Sequence, residues 1–274
     1  MFETAISRDG MSYERRGEHD GATVVLVHGI PGAGRAWHVV ASALPGGLQV
    51  VVPDLLGFGG SARPKSASLD TLGPSPQSTA LANLLDDLGV RDAVVVGHDF
   101  GGPISILLAE RRPDLVAGLL VLAANTFPDT PIPFPLSLTT APLVGGLAAR
   151  AIFSRPSLAM MLRQGVGAGP SPDAATYIGD DGQHRAIAAI FSGALRGLRE
   201  LYAPVESALR GLDVPVVVGW GDKDPFFPLA QGRRTAEAAR GELRVFAGAG
   251  HFLPHERPDE VASEIEKLSA ARAR

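Results

Sequence analysis

The segment Val94-Val95-Val96-Gly97-His98-Asp99-Phe100-Gly101-Gly102 restricts the fold more than any other part of this 274-residue chain. The valines read as a buried strand, and the run that opens at Gly101 reads as a helix ending before Pro113. Between them one acidic residue stands with small residues on both sides. A turn that tight strains the backbone and brings the helix close to the strand, so its flanks must be small. Such an elbow pushes Asp99 out at the sheet edge, with a helix N-terminus beneath it. An ordinary strand-to-helix loop with an Asp near the helix start fits the segment taken alone. The glycines on both sides, and partners further along the chain, argue against it.

The remainder alternates strands with helices. Phe2–Ser7 and Met11–Arg16 flank Asp9-Gly10 and read as a hairpin. Thr23–Val27, Gln49–Val52, Ala93–Val96, Gly118–Leu122 and Pro215–Val218 are short apolar runs bounded by turn residues, with Glu242–Phe246 a weaker sixth. Continuous apolar strands separated by helices imply an α/β fold with a mostly parallel, doubly wound sheet. Leu81, Leu84, Leu85 and Leu88 mark a helix that Gly89 stops, and Val261, Ile265 and Leu268 mark the last one. Residues 125–212 are too long for a simple connection. They open with Pro128, Pro131, Pro133 and Pro135 and carry helical patterns over Leu143–Phe153 and Ala186–Leu198. The expectation is a core domain of residues 1–124 and 213–274, with 125–212 a helical cap over the sheet's C-terminal edge.

Composition narrows the class. Hydrophobic residues make up 45% of the chain, enough for one large domain. The net charge of -4, from 25 basic and 29 acidic residues, argues against nucleic acid as a partner. There is no cysteine, hence no disulfide and no thiolate nucleophile. The N-terminus shows no secretory pattern. The apolar run Leu115–Ala124 is too short to span a bilayer. The default is a cytoplasmic protein with no membrane partner; the oligomeric state stays open. No spaced His and carboxylate cluster suggests a metal, and Gly57-Phe58-Gly59-Gly60 lacks the Lys-Ser/Thr of a phosphate loop, so no cofactor is expected.

A nucleophile in the elbow needs a base, and the base needs an orienting acid. Strand Pro215–Val218 runs into Gly219-Trp220-Gly221-Asp222-Lys223-Asp224, which makes Asp224 the favoured acid and Asp222 its rival. The last strand leads to Gly248-Ala249-Gly250-His251, the candidate base. Backbone N–H groups of Ile30 and Phe100 are the candidate oxyanion donors. His28 and Asp54 read first as hydrogen-bonded scaffold, and His184 as a surface residue.

In this order, the elbow, His28-Gly29-Ile30-Pro31, Pro53-Asp54-Leu55-Leu56-Gly57-Phe58-Gly59-Gly60-Ser61 and the two later loops resemble the α/β-hydrolase superfamily over nearly the whole chain. An Asp in the elbow is similar to epoxide hydrolases and haloalkane dehalogenases. The resemblance implies a carboxylate that attacks carbon to form an alkyl-enzyme ester, which a histidine-activated water then hydrolyses. The chemistry is consistent. A carboxylate attacks an sp3 carbon usefully, whereas with an ordinary ester it forms a high-energy anhydride.

The subfamily stays open. His-Gly-x-Pro points to epoxide hydrolases, whose two cap tyrosines protonate the opening oxirane. This insertion holds Tyr177 and Tyr202, with Ser192 where one tyrosine is expected, and Tyr177 is the candidate acid. Dehalogenases bind halide through Trp or Asn at positions that here read Phe100 and Ile30. Trp37, His28 and Phe127 are further candidates for substrate contact or proton donation. Phe127, Phe134, Met160 and Met161 suit a small apolar organic substrate, with water as the second reactant. The expectation is an epoxide hydrolase-like enzyme. The alternatives are a haloalkane dehalogenase, or a cofactor-free cyclase, tailoring enzyme or ligand-binding protein on the same scaffold.

Overall fold

The structure is a computed structural model describing residues 2–17, 21–131 and 136–272. Eight strands form one sheet: β1 (Glu3–Ile6), β2 (Ser12–Arg16), β3 (Thr23–Val27), β4 (Gln49–Pro53), β5 (Ala93–His98), β6 (Val116–Leu122), β7 (Val216–Gly221) and β8 (Glu242–Phe246). Their order is β1-β2-β4-β3-β5-β6-β7-β8. The N-terminal hairpin pairs antiparallel, its turn made possible by Gly10 at φ 81°, and β2 continues antiparallel onto β4. From β4 to β8 all pairings are parallel. The sheet order reverses between β3 and β5, and the crevice at such a switch point is where open α/β sheets place ligands.

The period of two along each strand divides the core. Val25, Val27, Val95, Leu119 and Val121 face one side, and Val24, Leu26, Val94, Val96 and Leu120 face the other. The second side is covered by α1 (His38–Ala43) and α12 (Pro258–Arg272), through Val40, Val261 and Ile265. After the single turn α2 (Leu69–Leu72), α3 (Pro74–Asp87) and α4 (Gly101–Arg111) cover the first side. Pro74 fits the first turn of α3, and Gly89 at φ 66° ends the chain's helical path.

Between β6 and β7 lie α5 (Gly145–Ile152), α6 (Arg155–Gln164), α7 (Ala174–Ile178), α8 (Asp181–Arg196) and α9 (Leu198–Gly211). The expected helix over Ala186–Leu198 starts five residues earlier, where the Asp180 side chain caps the Gln183 N–H at 2.9 Å, and Gly197 separates it from α9. α9 tolerates Pro204 in its interior and packs along α4 and α10 (Leu229–Ala239), so the last helix of the insertion leans on the core. The chain closes with the short turn α11 (Leu253–Glu256) before α12. Pro133, Phe134 and Pro135 lie outside the described residues. Among the described residues no helix is long and apolar enough to cross a membrane.

Candidate active site

The ends of β3, β5, β7 and β8 bring Ile30, Asp99, Asp224 and His251 together. Asp99 sits at φ 51°, in the left-handed region that Asp tolerates better than most residues. The turn closes because its neighbours lack side chains. A Cβ on Gly97 would lie 2.4 Å from the Gly101 oxygen, one on Gly101 2.3 Å from the Val27 oxygen, and one on Gly102 2.4 Å from the Ala124 Cβ. The Asp99 carboxylate rests against the β3 loop: Oδ1 accepts from the Ile30 N–H at 2.7 Å. The Phe100 N–H, at the first turn of α4, makes no hydrogen bond to it.

His251 lies between two carboxylates. Its Nδ1 donates to Asp224 Oδ2 at 2.9 Å, and its Nε2 is 3.6 Å from Asp99 Oδ2. Asp224 is fixed in turn, because its Oδ1 accepts from the N–H groups of Phe226 and Phe227 at 2.8 and 3.0 Å. Burial works against a charged imidazole, but Asp224 and then Asp99 outweigh it and push His251 up to about 10. Burial likewise disfavours ionised Asp99, yet His251 and the Ile30 N–H hold it below the ordinary carboxylate range. Both shifts favour a carboxylate facing an imidazolium. Asp222 does not reach this group. It accepts from the Gly248 N–H at 2.6 Å and serves the turn.

The histidine loop is tied to the insertion. The His251 N–H donates to Gly165 O at 2.7 Å. Glu256 Oε2 accepts from the N–H groups of Gly167 and Gly250 at 2.7 and 2.9 Å, and its Oε1 accepts from Phe252 at 3.1 Å. His98 Nε2 donates to the His251 carbonyl at 2.9 Å, and burial holds its imidazole down at about 4, so it stays neutral.

The two tyrosines of the insertion separate. Tyr177 is buried edge-on against Phe252, with ring centroids 5.3 Å apart, and burial and the Glu256 charge raise its phenol. Tyr202, on α9, is buried too, and there burial and the Asp99 charge raise the phenol, while a hydrogen bond with Asn125 pulls the other way. Asn125 Oδ1 already accepts from the Phe127 N–H at 3.2 Å and the Thr130 hydroxyl at 2.6 Å. Its amide nitrogen is thus the group left for the phenol oxygen, which frees the phenol's own proton. Of the two tyrosines, Tyr202 is the one whose phenol feels the Asp99 charge.

Other sequence candidates fall elsewhere. His28 has neither nitrogen free: Nδ1 donates to Gly29 O at 2.9 Å and Nε2 accepts from the Leu55 N–H at 3.0 Å. Trp37 packs on the opposite side of the sheet with Val40 and Leu26, because the single 3-10 turn Gly34–Trp37 swings it there. Phe127 is fully buried beneath the Arg234 guanidinium, 3.7 Å from its ring centre. Asp54 accepts from the Gly34 and Gly60 N–H groups at 2.7 and 2.8 Å. His184 hydrogen-bonds the Phe153 carbonyl. Met160 points to solvent, while Met161 is half-buried against the core. Among the described residues no group of three or more His, Asp or Glu side chains is placed to hold a metal ion.

A family model described as the alpha/beta hydrolase family matches residues 24–264. The chain belongs to the α/β-hydrolase family. It is 29% identical to a cis-3-alkyl-4-alkyloxetan-2-one decarboxylase of Shewanella oneidensis, over 95% of this chain and 86% of that one. It is 26% identical to epoxide hydrolase A of Mycobacterium tuberculosis, over 91% and 90%. A haloalkane dehalogenase structure, DbeA from Bradyrhizobium elkani, superposes with a TM-score of 0.80 at 21% identity, covering 99% of both chains. That last likeness is one of fold.

This α/β-hydrolase carries site residues that its sequence did not single out. Glu256 and Asn125 act through backbone and side-chain partners distant in the chain. Gln183 is a third. It is buried on α8, with Oε1 accepting from the Gly59 N–H at 3.1 Å and Nε2 donating to Gly32 O at 3.0 Å and Tyr177 O at 2.9 Å. Gly32 follows Ile30, whose N–H meets Asp99, by two residues. Only the spacing of Glu256, five residues after His251 and beside a helix start, offered a local signal.

Proposed function

We propose that this α/β-hydrolase is an epoxide hydrolase-like enzyme in which Asp99 attacks an sp3 carbon of an apolar, strained cyclic ether. The observation that carries this reading is the carboxylate of Asp99, held on the Ile30 N–H and facing an imidazole that Asp224 orients. A carboxylate so placed is ionised and aimed, and suits displacement at carbon.

The steps balance in protons. Asp99 Oδ2 forms a bond to carbon as the ring C–O bond breaks, and Tyr202 gives its phenolic proton to the ring oxygen. Esterification removes the charge of Asp99, one of the two that held the imidazolium. The His251 proton then restores the phenol and leaves a neutral imidazole. That imidazole takes a proton from water, hydroxide adds to the ester carbonyl, and the Ile30 N–H steadies the oxyanion. The intermediate collapses with cleavage of the acyl C–O bond, the departing alkoxide takes the proton of the added hydroxyl, and Asp99 is left as a carboxylate with the diol free. The insertion serves as the cap that keeps bulk water out.

A second reading follows from the oxetan-2-one relative. The same attack on the alkyl carbon of a four-membered cyclic ester would break its ring C–O bond and free a carboxylate, and loss of carbon dioxide from that carboxylate would form a carbon–carbon double bond as the C–O bond to Asp99 breaks and restores its carboxylate. The deciding experiment is the intact mass of a His251→Gln variant incubated with epoxides, oxetan-2-ones and haloalkanes. With no base the ester should persist on Asp99. An adduct of the whole epoxide mass supports ring opening by hydration chemistry, and one lighter by the hydrogen halide supports a dehalogenase. An oxetan-2-one adduct with carbon dioxide released by the wild type supports the second reading. No adduct on any panel, matching an Asp99→Ala control, overturns them all and leaves a binding or cyclising role.

A further inference from the structure

The insertion turns an apolar and cationic face to solvent. Leu138, Leu143, Val144, Leu147 and Met160 are all exposed, and they account for most of the large exposed apolar side chains among the described residues. Leu143 is fully exposed and sits at φ 67°, a left-handed conformation that a branched side chain adopts only under strain. That strain is offset by no burial. Of the residues in α5, Gly145 alone is buried. Ala149 and Ile152 are half-buried against the core, and the rest of the helix turns outward.

The charge along the first part of the insertion is one-sided. From Thr130 to Pro172 the chain contains Arg150, Arg155 and Arg163 and no Asp or Glu, although the whole protein carries -4. Arg155 has Asp181 at 3.4 Å, whereas Arg150 and Arg196 form no ion pair among the described residues. Those two arginines flank a groove of about 680 Å³ between α5, α8 and Leu69, floored by Ala149, Phe153 and Ala188, and no carboxylate lines it. Leu147 and Arg150 are three apart on α5, so they share one helix face, and Leu143 and Val144 immediately precede that helix.

We infer that this face docks on an anionic phospholipid bilayer, with Leu143, Val144 and Leu147 entering the acyl boundary and Arg150 and Arg196 meeting lipid phosphates. An apolar ridge beside unpaired cations is the pattern of interfacial membrane contact, and a charge-neutral partner would leave both arginines unused. The inference is independent of the chemistry at Asp99. It departs from the expectation of no membrane partner while requiring no spanning helix.

The test is sedimentation with unilamellar vesicles of mixed phosphatidylglycerol and phosphatidylcholine against phosphatidylcholine alone. The wild type should partition about tenfold or more better onto the anionic vesicles at low salt, and 0.5 M salt should remove most of that difference. Leu143→Ser/Leu147→Ser and Arg150→Gln/Arg196→Gln should each weaken partition about fivefold or more with an unchanged melting temperature. No partition at low salt, equal partition onto both vesicle types, or folded variants that bind like the wild type would overturn the inference. So would a concentration-dependent dimer in analytical ultracentrifugation that Leu143→Ser/Leu147→Ser dissolves, since a second copy would then cover the face.

Discussion

The backbone N–H of His251 donates to the carbonyl of Gly165, so the residue whose imidazole faces Asp99 takes its main-chain position from the insertion. Packing enforces the same contact. A Cβ on Gly165 would lie 2.3 Å from the Phe252 ring, and one on Gly167 2.2 Å from the Gly248 oxygen. Residues 165–167 and the histidine loop are thus held together by both hydrogen bonding and close packing.

Glu256 binds that junction through three N–H groups. Replacing it by Ala leaves them without an acceptor, at about 1–3 kcal/mol of stability. Glu256→Ala should therefore shift the denaturant midpoint downward and lower kcat about tenfold. Glu256→Gln keeps one acceptor oxygen and should fall between Ala and wild type. Equal stability and turnover in all three proteins would show that the clamp does not position His251.

Tyr202 and Tyr177 give opposite expectations. Tyr202→Phe removes the phenolic proton assigned to the ring oxygen and should slow ester formation by about 10²-fold or more in single-turnover measurements. Tyr177→Phe keeps the ring against Phe252 and should stay within about threefold of wild type. The reverse ranking would return the proton donor to Tyr177.

His251 links stability to pH. Its imidazole is raised on folding from an ordinary value near 6.5 to about 10. A group raised in this way stabilises fully below its unfolded value and loses that contribution as pH climbs through the folded one. The difference in melting temperature between wild type and His251→Gln should therefore shrink steadily from about pH 6.5 to pH 10. A difference constant over that range would mean that the imidazole is not held between two charges.

How far the molecule was legible in the sequence depends on how local each signal is. The strands lay within a residue or three of their expected ends, because a buried parallel strand declares itself by an unbroken apolar run. The elbow declared itself by Gly97, Gly101 and Gly102, whose missing side chains answer clashes inside one turn. Trp37 was misleading because proximity in sequence to Ile30 says nothing about which side of the sheet a 3-10 turn will present. Tyr202 was passed over because its place within reach of the Asp99 charge comes from α9 crossing α4, a contact between segments about a hundred residues apart, and because Pro204 disguises the helix that carries it.

Gly29 offers a test of how closely the oxyanion segment meets Asp99. A Cβ there would stand 2.5 Å from the Asp99 Cβ and 2.7 Å from Oδ1. Gly29→Ala must push the two loops apart, lengthening the Ile30 contact. Turnover should fall by about 10² or more, as for the loss of an oxyanion donor. Stability should drop by about 1–3 kcal/mol from overpacking. Full activity in Gly29→Ala would mean that the loops yield freely and that Ile30 is not a fixed donor.

The buried amide of Gln183 touches two loops and the helix α7 at once, and it does so with both of its ends. A carboxylate there would set a second acceptor against the Gly32 and Tyr177 carbonyls, and an aliphatic residue would abandon all three groups. The insertion is therefore not a detachable module. A chimera that borrows this segment from a relative inherits a new substrate chamber only if it also brings an amide to this position and a host loop shaped to meet it. Without that match, the graft would fold poorly at the very edge where the oxyanion segment begins.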